Sequence, residues 1–194
     1  MDKRNKFAKI GVNHNKNHKR AVDDFYSTDP NAIKYLLNYE KFNKNIWEPA
    51  CGNGNLVNVL KQKSYNVTAS DIKNRNCEGQ KIKNFLTSKT PFKGDIITNP
   101  PYAHAGVFIE KAYELSNQKV AMFLKIQFLE SINRYENIFN KTPPKTVYVF
   151  VKRIACYRNN IIDNKPSAVC YAWYVWDKNY KGETTLKWIP NHRY

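Results

Sequence analysis

Apolar positions along the chain switch between two periods. The runs NIWEPA (residues 45–50), YNVTAS (65–70), DIIT (95–98) and KVAMFLKI (119–126) are short, apolar and rich in β-branched or aromatic residues, which predicts strands. Between them the spacing lengthens to that of helices. Ile33, Leu36, Leu37 and Phe42 follow an Asp29-Pro30 start signal, and Leu56, Val57 and Leu60 share one helical face. GVFIEKAYEL (106–115) predicts another helix, as does FLESINRYENIF (128–139), where Leu129, Ile132, Ile138 and Phe139 are spaced for burial. Residues 73–83 are polar and predict a short helix, and KIKNFL (81–86) a short edge strand. TVYVFV (146–151) and AVCYAWYVW (168–176) are consecutive strands, the pattern of an antiparallel edge hairpin. Strands alternating with helices give a parallel α/β sheet.

The 194 residues fit one domain, residues 21–194, preceded by a polar, basic and aperiodic arm, residues 1–20. Lys and Arg number 32 against 16 Asp and Glu, a net charge of +16 that favours a polyanionic partner such as nucleic acid. An AT-rich genome would raise Lys, Asn and Tyr together, which weakens that inference. Cys51, Cys77, Cys156 and Cys170 form no C-x-x-C pair, so neither a zinc site nor a disulfide framework is expected, and reduced thiols fit a cytoplasmic protein. No apolar run is long enough to span a membrane, and the start of the chain lacks the apolar core of a secretory signal.

Two stretches carry chemistry. In WEPACGNGNLVNVL (47–60) a strand ends at Glu48-Pro49, and Gly52 and Gly54 let the backbone turn and approach a ligand before a helix begins. A dinucleotide loop would place a third glycine where Val57 stands, so a nucleoside without phosphates fits better. Asp71, closing the next strand, is placed to accept both hydroxyls of a ribose. Cys51 in this loop reads as a small packing residue rather than a nucleophile.

The second stretch is Asn99-Pro100-Pro101-Tyr102, at the exit of DIIT. Asn99 is biased to extended backbone by the proline after it, and Pro101 fixes the direction of the Pro100 carbonyl. An amide oxygen and a carbonyl held rigidly side by side suit a planar exocyclic amine, whose nitrogen must become more tetrahedral before it attacks a methyl group. Tyr102 offers a ring on which a base would stack.

EPACGNG, followed some forty-five residues later by NPPY, resembles the class I S-adenosylmethionine-dependent amino-methyltransferases, particularly the N6-adenine DNA methyltransferases. DFYSTDP (24–30) is similar to the upstream cofactor motif of that family, Asp71-Ile72 to its ribose- and adenine-contacting pair, and Asn84-Phe85-Leu86 to its D-F-L, with Asn84 in place of the acid. LKIQFLES (124–131) and residues 171–189 look like segments of small phage- and prophage-type members. The resemblance implies a Rossmann-like, seven-stranded, mostly parallel sheet with an antiparallel last strand, in which NIWEPA and DIIT are adjacent. It implies a cofactor site for S-adenosylmethionine made by Tyr26, Thr28, Glu48, Ala50, Gly52, Gly54, Asp71, Ile72, Asn84, Phe85 and Asn99. Catalysis falls to Asn99, Pro100, Pro101 and Tyr102. No room follows NPPY for a separate target-recognition domain, which implies low or short sequence specificity. The expected substrate contacts are Tyr102, Lys125 and the loop 152–167, with Lys152, Arg153 and Arg158 for phosphates and Tyr157 for stacking. DNA is the first expected substrate, then RNA, then the amide of a protein glutamine. A binding module without activity is the remaining alternative.

Overall fold

In the middle of the sheet both faces of each strand are covered, which is why these strands read as unbroken apolar runs. In β6 (Lys119–Lys125), Ala121 and Phe123 point to one side, whereas Val120, Met122 and Leu124 point to the other, and all are fully buried. The first side packs against α1 (Pro30–Leu36) and α2 (Asn55–Gln62), through Ile33, Leu36, Leu56 and Leu60. The second packs against α3 (Ala105–Leu115), through Phe108, Ile109, Ala112 and Leu115. The computed structural model describes residues 26–154, 156–158 and 169–192. The basic arm, the Asp24-Phe25 end of the upstream motif and residues 155 and 159–167 of the expected substrate loop lie outside them.

The main sheet has eight strands in the order β10-β7-β9-β6-β5-β2-β3-β4. Their ranges are β2 (Asn45–Glu48), β3 (Asn66–Asp71), β4 (Lys81–Ile82), β5 (Asp95–Thr98), β7 (Thr146–Phe150), β9 (Tyr171–Asp177) and β10 (Thr185–Ile189). β2 lies parallel between β3 and β5, so the NIWEPA and DIIT strands are neighbours. Two expectations are corrected here. The sheet has eight strands, because Thr185–Ile189 adds one at the edge, where only Ile189 is buried and no apolar run announces it. The reversed strand is AVCYAWYVW (β9), antiparallel to TVYVFV (β7) as expected, but it is inserted between β6 and β7 rather than hanging on the edge. Trp173 and Trp176 of β9 are fully buried, and Trp173 Nε1 donates to the Ala32 carbonyl at 2.9 Å. A strand so apolar on both faces gains more in the middle of a sheet than at its rim.

Two helical expectations also change. Residues 73–83 form turns and the short β4, not a helix. The Gln80 side chain accepts from the backbone N–H groups of Arg75 and Cys77 and donates to the Lys73 carbonyl, and Asn76 and Gly79 have positive φ. Residues 126–139 are a 3-10 turn, the short α4 (Ile132–Arg134) and a π-turn rather than one regular helix. Arg134 donates to the carbonyls of Gln127, Phe128 and Glu130, which holds the irregular backbone. The helical register is therefore lost: Ile138 is buried, while Leu129 and Ile132 are 40% and 79% exposed.

A separate two-stranded ribbon joins β1 (Tyr26–Thr28) to β8 (Cys156–Arg158), antiparallel, with Thr28 opposite Cys156 and Tyr26 opposite Arg158. This ribbon stands against the exit of β5. Among the described residues no helix is long and apolar enough to cross a membrane.

Candidate active site

The carboxyl ends of β2, β3 and β5 open into one cavity of about 560 Å³, the usual place for a ligand in an open α/β sheet. Tyr26, Thr28, Glu48, Ala50, Gly52, Asp71, Ile72, Asn84 and Phe85 all line it, and so do Asn99, Pro100, Pro101 and Tyr102. Both sequence motifs therefore face the same space.

At one end, local bonds build the site. Asp71 Oδ2 accepts from the Gly52 N–H at 3.0 Å and its Oδ1 from the Lys73 N–H at 3.1 Å, with Arg75 Nε 3.6 Å away. The loop after β2 is thus tied to the end of β3. Gly54 does not line the cavity; it caps α2 with φ +86°, and a Cβ there would lie 2.9 Å from Cys77 Sγ. Asn84 Oδ1 accepts from the Leu86 N–H at 3.0 Å and so starts the turn that places Phe85. Phe85 is buried against Trp47 and Phe108. Cys51 is buried and its thiol is pushed upward, first by desolvation and then by Glu48 and Cys77, which agrees with a packing role.

Glu48 is the unusual acid. Its Oε1 accepts from the Ala50 N–H at 3.0 Å, but neither Oε2 nor the nearby Thr98 hydroxyl completes a hydrogen bond. Complete burial pushes the carboxyl up to about 8, an effect that the Ala50 N–H offsets only in part. A protonated acid here is poised to ionise when a cation arrives.

At the other end stand Asn99 and Tyr102. The Asn99 Nδ2 group donates to Thr28 Oγ1 at 2.8 Å, to the Tyr26 carbonyl at 3.2 Å and, at 3.9 Å, to Cys156 Sγ. Its Oδ1 is buried and has no partner among the described residues. An unmet buried acceptor is costly, so its presence in a ligand cavity marks a place where a donor is expected. The Tyr102 hydroxyl lies 3.3 Å from Cys156 Sγ, and its ring stacks on Tyr171 at 5.9 Å and tilts against Tyr26 at 5.7 Å. Burial holds the phenol neutral, well above its ordinary range.

The expected substrate contacts divide. Lys125 does not line the cavity, but its Nζ lies over the Tyr102 ring, 5.1 Å from the centroid. Lys152 and Arg153 are exposed, and the Lys152 backbone is fixed at both N–H and carbonyl by the Asn191 amide. The backbone of Tyr157 and Arg158 is in β8, against β1; their side chains lie outside the described residues. Sequence reasoning missed Cys156 and Tyr171, which no motif marks. It also missed Lys83, which lines the cavity with its Nζ 4.8 Å from the Trp47 ring.

No family model and no curated protein matches the sequence. Solved structures match it by fold. The 23S rRNA methyltransferase ErmE is 15% identical with a TM-score of 0.55, over 81% of this chain and 72% of that one. Magnesium protoporphyrin IX methyltransferase from Synechocystis PCC 6803, solved with bound S-adenosylmethionine, is 10% identical with a TM-score of 0.51 over 75% of each chain. An S-adenosylmethionine-dependent O-methyltransferase from Thermotoga maritima is 14% identical with a TM-score of 0.52, over 80% of this chain and 66% of that one. At such identities the likeness is one of fold, and the chain has the Rossmann-like fold of class I methyltransferases.

Proposed function

We propose that this chain transfers a methyl group from S-adenosylmethionine to the N6 amine of adenine in DNA, with low or short sequence specificity. The observation that carries the reading is the Asn99 amide. Its NH2 group is spent on three acceptors, which leaves Oδ1 buried and unpartnered beside Pro100. An oxygen in that state accepts an N–H from an amine and offers nothing to a substrate that needs a donor.

The cavity suits the cofactor in its chemistry. Glu48 has an unsatisfied buried oxygen for an ammonium group, Asp71 has carboxylate oxygens for a ribose diol, and Phe85 and Ile72 are apolar neighbours for an adenine ring. Tyr26, Ala50, Gly52 and Asn84 complete the set. When bound, the cofactor supplies an electrophilic methyl carbon on a sulfonium. The chain's own part is orientation. Asn99 Oδ1 and the Pro100 carbonyl accept the two amine hydrogens, which draws the nitrogen lone pair out of conjugation and fixes its direction. No general base is needed, since the nitrogen becomes acidic as it is methylated. Tyr102, neutral and braced by Tyr171, supports the base plane. A duplex adenine reaches this cavity only after leaving the stack.

The test is nucleoside mass spectrometry of DNA and RNA incubated with the purified protein and labelled cofactor. The reading expects label in N6-methyladenine from DNA. Label confined to RNA moves the substrate to RNA on the same clamp, and label in neither polymer overturns the proposal.

A further inference from the structure

The β1–β8 ribbon lines the cavity through Tyr26 and Thr28, and among the described residues it also supplies every partner of the Asn99 NH2 group. Thr28 and Cys156 face each other across the ribbon, and Tyr26 lies two residues before Thr28 on the same strand. A primary amide has two orientations that differ only in exchanging oxygen and nitrogen. The one that leaves Oδ1 free requires acceptors around Nδ2, and the ribbon provides a hydroxyl, a carbonyl and a sulfur there. Turning the amide over would set Oδ1 against the Tyr26 carbonyl, two acceptors with no hydrogen between them. Cys156 also touches the Tyr102 hydroxyl, so one thiol spans both side chains of the clamp. Burial pushes that thiol up to about 12, which keeps it an uncharged hydrogen-bonding group rather than a nucleophile.

We infer that Thr28, with Cys156 beside it, is a positioning residue that holds the Asn99 amide in the orientation the Tyr26 carbonyl selects, and that the ribbon acts as an orientation lock on the reacting amine besides lining the cavity. This rests on the amino-methyl reading and assigns Thr28 a different task from the cofactor contact that its motif implies. The Tyr26 carbonyl only accepts and so rejects the turned-over amide, while the 2.8 Å bond to Thr28 Oγ1, the shortest of the three, holds the side chain against it.

Thr28→Val keeps the shape and removes the acceptor, whereas Thr28→Ser keeps the acceptor. The expected result is a fall in kcat of about tenfold for Thr28→Val, most of it restored in Thr28→Ser, with the cofactor Kd by calorimetry within about twofold throughout. Cys156→Ala should lower kcat by a smaller factor, and Cys156→Ser should recover it. A loss of cofactor affinity with unchanged kcat, or no change in either, overturns the inference. Asn99→Ala in the same assay separates the two claims: if it stays active, the amino-methyl reading itself fails. A measurement on the unaltered protein guards against variants that do not fold. In 15N-asparagine-labelled protein, the Asn99 side-chain NH2 protons should exchange with water far more slowly than those of exposed asparagines. Exchange as fast as an exposed amide overturns the lock.

Discussion

The two ends of the cavity are built in opposite ways. At the Asp71 end the partners are close in sequence: Gly52 and Asp71 are nineteen residues apart, and Asp71 and Lys73 two. At the Asn99 end they are remote, with Tyr26 and Thr28 seventy-three and seventy-one residues away and Cys156 fifty-seven. The first end is a loop that a β-α-β unit makes almost by itself. The second exists only once the ribbon has docked on the sheet. A site of the first kind binds through short, self-contained geometry, and one of the second kind orients a reacting group through the whole fold. Under the proposed function this contrast becomes a division of labour: affinity for cofactor at one end, rate at the other.

The sharpest way to break that division is Asn99→Ala. It removes one of two preorganised acceptors for the reacting amine, so kcat should fall by about 10²–10³ while cofactor Kd barely moves. Single-turnover methylation of an adenine-containing oligonucleotide, read beside calorimetry, measures both. A variant that loses cofactor affinity and turnover in equal measure would erase the distinction between the two ends.

Asp71→Ala probes the opposite end. Loss of a charged acceptor should weaken cofactor binding by about 1–3 kcal/mol, and kcat at saturating cofactor should suffer less. Part of the effect belongs to the loop, because Gly52 and Lys73 lose the carboxylate that holds their N–H groups. Equal cofactor affinity for both proteins, measured by calorimetry, would remove Asp71 from the site.

The same contrast explains what was legible in the sequence. Gly52 and Asp71 could be read because their requirements are local, a tight turn and an acid at a strand end, whereas Gly54, expected at the cofactor, is instead the cap of α2 at φ +86° and does not line the cavity. Asn99-Pro100-Pro101-Tyr102 could be read because the prolines declare a stiff exit from a buried strand. Alternating periods gave a parallel α/β sheet, whereas the adjacency of β2 and β5 was implied by the family resemblance. What stayed hidden depends on contacts far apart in the chain. Cys156 looked like any cysteine in a basic loop until β8 paired with β1. β10 has one buried side chain and so no hydrophobic signature, and the place of β9 between β6 and β7 rather than at the edge is set by its pairing with both. The 126–139 segment failed as a helix because Arg134 satisfies three carbonyls off the helical path.

Glu48 gives a gentler test of the cofactor end through pH. Its folded pKa, about 8, lies above the ordinary value of 4.5, so the folded protein holds a proton that the unfolded chain has released between those values. Stability of the ligand-free protein should therefore decline as pH rises from about 4.5 to about 8, and the slope should flatten in Glu48→Gln. Cofactor binding runs the other way, because a cationic amino group favours the ionised acid. Affinity should rise by about tenfold between pH 6.5 and 8, with release of a proton, and calorimetry in buffers of different ionisation enthalpy would count it. An affinity that is flat over this range would mean that Glu48 does not face the ammonium group.

The smallest expected effect separates support of the base from orientation of the amine within the Asn99 end. Tyr102→Phe keeps the ring that stacks on Tyr171 and removes only the hydroxyl that meets Cys156. The cost is one hydrogen bond to sulfur, about 1 kcal/mol or less, and it should appear as a few-fold loss in kcat with the KM for DNA nearly unchanged. Tyr102→Ala, by contrast, should raise KM for DNA through a stacking loss of about 1–3 kcal/mol. The pair of variants ranks ring against hydroxyl directly. Should Tyr102→Phe prove as damaging as Tyr102→Ala, the hydroxyl–thiol contact, not the ring face, would be what the clamp requires of Tyr102, and the orientation lock would extend from the amide to the phenol.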